Sequence, residues 1–71
     1  MNYEKGIQSL PVAILNDSEV VDAIRDILDS LRDERRYGGT ENSRSKRARA
    51  VDILNRKMIH YDGRSFNDLC G

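Results

Sequence analysis

Two stretches of helical periodicity flank a Tyr37-Gly38-Gly39-Thr40 break, and that arrangement restricts the fold more than any other feature of the chain. Glycine readily takes the left-handed conformation that stops a helix, so one continuous helix is excluded. Before the break, Val20, Val21, Ile24, Ile27, Leu28 and Leu31 recur at three- and four-residue steps and fall within one sector of a helix. After it, Arg47, Ala50, Val51, Leu54, Met58 and Tyr61 do the same. The expectation is an all-α fold with helices over about residues 17–36 and 43–61, joined by a connector short enough to make them an antiparallel hairpin. Asn16-Asp17-Ser18-Glu19 reads as a capping box with Asn16 as the cap, and Leu15 and Val20 as its hydrophobic staple. Ser43 is the expected cap of the second helix, and Asp62-Gly63 closes it.

The flanks are shorter. Residues 1–15 read as an irregular arm, because Pro11 prevents a continuous helix, yet Leu10, Val12, Ile14 and Leu15 are too apolar for a free tail. The C-terminal segment 62–71 predicts one helical turn from Ser65, with Phe66 and Leu69 folded onto the hairpin. All 71 residues therefore form a single domain. A domain this small buries only about 60% of the surface its unfolded chain exposes, so its core is marginal. The single cysteine, Cys70, forms no intrachain disulfide, and with the lone His60 it cannot supply the four protein ligands of a structural zinc site. Neither a metal nor a cofactor is expected. Oligomerisation, as a homodimer or a higher assembly, is the remaining way to support the core. Ile53 and Ile59 lie off the main apolar stripe and are the expected oligomer contacts, unless the arm or the C-terminal segment covers them.

Charge divides the chain. Residues 1–36 hold five basic and eight acidic side chains, and residues 37–71 hold seven and four. In the first helix Glu19, Asp22, Asp26, Asp29 and Asp33 form an acidic stripe opposite the apolar face, eased by pairs such as Arg25 with Asp29. In the second, Lys46, Arg49, Arg56 and His60 occupy the face opposite Leu54, with Asp52 on its edge. These four are the candidate contact residues for a partner. Arg44 and Arg47 would join them if the partner were a nucleic acid or a phosphorylated ligand, because guanidinium groups bond phosphate oxygens strongly. The same cations could instead meet the acidic stripe of another copy.

Catalysis is not expected. His60 is a general-base candidate only beside a nucleophile, and Ser65, Asp62 and Cys70 stand in no recognised triad spacing. Cys70 reads as a tail residue. No apolar run approaches the roughly 18 residues that a spanning helix needs, so no membrane partner is expected. Met1 to Lys5 carries no basic region leading into an apolar one, and a lone thiol suits a reducing compartment, so a cytoplasmic location is expected. The function class is a non-enzymatic binding or regulatory protein that acts by oligomerising and occupying a macromolecular partner. The alternative is nucleic-acid or phosphorylated-ligand binding through the second helix.

Overall fold

A computed structural model describes residues 2–71. Among them every regular element is helical: α1 (Tyr3–Gln8), a 3-10 helix (Val12–Asn16), α2 (Ser18–Tyr37), α3 (Glu41–Asp62) and α4 (Phe66–Cys70). The particle measures 35 × 24 × 16 Å. None of its helices is long and apolar enough to cross a membrane.

The two long helices begin one to three residues away from the expected caps. Asp17, not Asn16, caps α2: its extended backbone turns the carboxylate onto the Glu19 amide at 2.9 Å. Asn16 is used up as the last residue of the 3-10 helix, which also leaves Leu15 exposed instead of stapled to Val20. Thr40, not Ser43, caps α3. Its hydroxyl accepts from the Ser43 amide, and the Ser43 hydroxyl accepts from the Thr40 amide, both at 3.1 Å. Ser43 thus sits in the box as its third helical residue and is itself buried. The stops fall where glycine was expected to place them, at Gly38 with φ 75° and at Gly63 with φ 78°.

The arm is more ordered than its sequence suggested. Asn2 caps α1 by accepting from the Lys5 amide at 3.0 Å, and Pro11, fixed in an extended conformation, leads into the 3-10 helix instead of breaking into irregular chain. Neither piece is long enough to stand alone, since helices below about 12 residues are marginal in water; burial of Gly6, Leu10 and Ile14 holds them.

The core combines Leu10 and Ile14 from the N-terminal elements, Val20, Ala23 and Ile27 from α2, Ala50, Leu54 and Met58 from α3, and Phe66 and Cys70 from α4. On α2 the buried line runs Val20, Ala23, Ile27, Ser30, so the helix is rolled away from Leu28, which is 46% exposed. Ser30 is tolerated inside because its hydroxyl donates to the Ile27 carbonyl at 2.8 Å. Tyr61, expected on the apolar face of α3, is exposed at the helix end. Phe66 is fully buried and Leu69 half-buried, as the tail's pattern implied.

The first and last helices meet. The Asn2 amide donates to the Cys70 carbonyl, and Gly6 faces the Cys70 sulfur and the Phe66 ring with no room for a Cβ. Cys70 is therefore a core residue and not a tail residue. Ser65 caps α4 in a box with Asp68, and the Asn67 amide reaches Asn55 of α3 at 3.0 Å.

Candidate interaction surface on α2 and α3

The candidate cations divide into three groups once α3 is folded against α2. Two lysines reach across to the acidic stripe. Lys46 lies 3.9 Å from Asp26 and 3.7 Å from Asp29, and Lys57 lies 2.9 Å from Asp17 and 3.4 Å from Glu19. Lys46 is one of the expected contact residues, and Lys57, a cation of the same basic segment, is not. Its hydrogen bond holds the Asp17 carboxyl below its ordinary pKa against the opposing effect of burial, and the Glu19 amide adds to the lowering. The Lys57 ammonium is raised in turn, chiefly by Asp17.

Arg47 forms the second group alone. Its side chain is only 16% exposed, packed against the Glu34 carboxylate, with the guanidinium carbon 5.3 Å from the centroid of the Tyr3 ring. A cation over an aromatic face is attracted by the ring quadrupole. Arg35 of α2 holds Glu4 of α1 at 3.1 Å beside it in an exposed pair, so side chains of α1 reach both long helices here while its backbone packs on α4. An open cleft lined by Tyr3, Glu4, Leu31, Glu34 and Arg35 lies there. The spacing of Arg47 puts it on the buried sector, but no local pattern marks Tyr3, 44 residues away, as its partner.

The third group faces water. Arg49 and His60 are exposed and make no ion pair among the described residues, and Arg56 is held only by Asp52 at 2.7 Å in an exposed i, i+4 pair. His60 stacks edge-on against Tyr61, with ring centroids 5.3 Å apart. Arg44 leans back over Gly39 of the connector. On the acidic side Asp29 is shared with Arg32 at 3.0 Å, the pair that forms in place of the expected one with Arg25. Asp22 and Asp33 make no ion pair among the described residues.

Of the two isoleucines, Ile53 is half-buried against the core, whereas Ile59 is 56% exposed. The Cys70 thiol is raised above its ordinary pKa by burial, which favours the unreactive protonated form. No group of three His, Cys, Asp or Glu side chains among the described residues is placed to hold a metal. No protein family, curated protein or solved structure matches the chain.

Proposed function

We propose that this protein is a non-enzymatic binding and regulatory module, cytoplasmic, that acts by self-association and by occupying a macromolecular partner. Its framework is an antiparallel hairpin of α2 and α3. Support for the hairpin comes from the order of the ion pairs, in which residues 17 and 19 go with 57 while 26 and 29 go with 46. Arg49, Arg56 and His60 are the contact residues.

One observation carries this reading over phosphate binding: carboxylates of α2 and its cap engage Lys46 and Arg47, two of the six side chains assigned to a phosphate-bearing partner, and Lys57 beside them. A mixed-charge face selects partners by complementarity of sign and sets their register. Sedimentation of the purified chain at about 50 mM salt, with its ultraviolet spectrum, tests the reading, since weak salt screening preserves charge-directed contacts. The expected result is a mass above one chain, or a bound protein, with no nucleic-acid absorbance. A single-chain mass at every concentration with nothing bound would overturn it, and co-purifying nucleic acid would replace it with the phosphate-binding alternative.

A further inference from the structure

Resting on that reading, we propose that the partner of the charged α2/α3 face is a second copy of this chain, seated by a two-fold axis that runs parallel to the two helices. The acidic stripe of each copy then lies on the basic stripe of the other.

The two stripes have the same construction. Asp22, Asp26, Asp29 and Asp33 follow one another at steps of four, three and four, and so do Arg49, Ile53, Arg56 and His60. At 3.6 residues per turn, each set spans a sector about 60° wide, so each makes a straight ridge along its helix. The ridges are neighbours, because Lys46 and Lys57 lie between them and reach from α3 to the acids of α2. The remaining elements attach elsewhere: Tyr3 of α1 covers Arg47, and α4 holds Asn55. Asp22, Arg49, Arg56 and His60 are left exposed on one face that is negative along one side and positive along the other.

Such a face is complementary to itself in one orientation. A two-fold axis across the helices would set aspartates on aspartates, and opposed like charges are strongly unfavourable. An axis along the helices exchanges the two ridges and keeps every residue at its own height; Lys46 and Lys57, between the ridges, then face their own copies across the axis with their charges already met by Asp26, Asp29, Asp17 and Glu19. The ion pairs give those heights: Lys57 is level with Asp17 and Glu19, and Lys46 with Asp26 and Asp29. Arg49, about one turn from Lys46 toward Lys57, is therefore level with the turn from Asp22 to Asp26. Arg56 is level with Glu19. After the rotation Arg49 of one copy meets Asp22 and Asp26 of the other, and Arg56 meets Glu19. Asp22 and Arg49, which have no ion-pair partner within one copy, gain partners, and this happens twice in the isologous contact. The exposed Asp52 pair contributes little and leaves Arg56 free to exchange.

Reciprocal charge reversal tests the proposal. Arg49→Glu and Asp22→Lys each alter an exposed side chain without an ion pair, so both variants keep the helical circular dichroism of the original chain. At about 50 mM salt each variant alone should self-associate at least roughly tenfold more weakly than the original, because each creates two like-charge contacts. An equimolar mixture of the two should regain the dimer, and so should the double variant Asp22→Lys/Arg49→Glu. Only contact between unlike ridges of two copies yields that rescue. A mixture that stays monomeric, or single variants that dimerise as the original does, would overturn the proposal; in the second case self-association itself survives and uses another surface. A monomeric original chain that carries a different bound protein would overturn it while leaving partner binding intact.

Discussion

Replacing Gly6 by alanine should destabilise the protein even though alanine is the better helix former. An added Cβ would lie 2.3 Å from the Cys70 sulfur and 2.9 Å from the Phe66 ring, and both of those side chains are buried. Restoring ordinary contact with the sulfur alone requires the α1 and α4 backbones to part by about 1 Å, in an interior packed as tightly as an organic crystal. Overpacking of this kind costs about 1–3 kcal/mol, and the present clash belongs in the upper part of that range. The helix-propensity gain from glycine to alanine offsets about 1 kcal/mol of it. The net loss is about 1–2 kcal/mol, a fall in Tm of roughly 5–15 °C for a domain of this size. Thermal unfolding followed by helical circular dichroism reads it directly. A Cys70→Ala change in the same chain removes the closest atom, so the double variant should lose less than the two single losses combined, by at least about 0.5 kcal/mol. A Gly6→Ala protein that melts at or above the original Tm would refute the packing of α1 on α4.

Three further outcomes follow from the caps, the ion pairs and the buried thiol. Thr40→Ala should lower stability to urea by about 0.5–2 kcal/mol through loss of the α3 cap, whereas Asn16→Ala should change it by less than about 0.5 kcal/mol; the opposite order would return the cap of α2 to Asn16 and take α3's from Thr40. Asp17 has its carboxyl depressed below 3.8 in the folded state, so it stabilises the fold above that pH and loses the effect as pH falls through the lower, folded value. The Tm advantage of the original chain over Asp17→Asn should therefore be full at neutral pH, begin to shrink at about pH 4 and vanish only once the pH lies below the folded value, and a gap that stays constant to strongly acid pH would contradict the Lys57 contact. Cys70 should react with a thiol reagent only as fast as the protein opens, and rapid labelling of the folded chain at neutral pH would show that the α1/α4 contact is absent.

Local signals carried most of what was legible in the sequence. The apolar steps of α2 and α3, the glycine stops at 38 and 63, and the serine that starts the last turn each act within a few residues, and each lies close to where its pattern put it. The errors at Asn16 and Ser43 are competitions between adjacent polar residues, decided by how far the preceding chain stays extended: Asn16 closes the 3-10 helix, and Ser43 serves Thr40 from inside the helix. The short N-terminal helices were hidden because six or five residues are too few to display a period, and tertiary burial forms them. The charged face was legible only in part. Arg49, Arg56 and His60 face outward as their position opposite Leu54 requires, but the pairing of Lys46 and Lys57 with carboxylates of α2 and its cap depends on the rotation of one helix against the other. No one-helix pattern contains that angle. Cys70 was misread for a related reason, since its burial depends on a glycine 64 positions earlier that lets α1 approach.

Lys46, Arg47 and Lys57 of α3 are engaged by carboxylates of α2 and its cap, so weak phosphate binding is expected. Measuring the affinity of the chain for double-stranded DNA across a range of salt tests this directly, because the slope of log affinity against log salt counts the phosphates neutralised, at about 0.9 per contact. Arg44, Arg49 and Arg56 are the arginines of α3 that no carboxylate of α2 engages among the described residues, so the expected result is either no saturable binding or a slope of about 3 or less. A steep slope of about 5 or more would require Lys46, Arg47 and Lys57 to leave Asp26, Glu34 and Asp17, and would contradict the account.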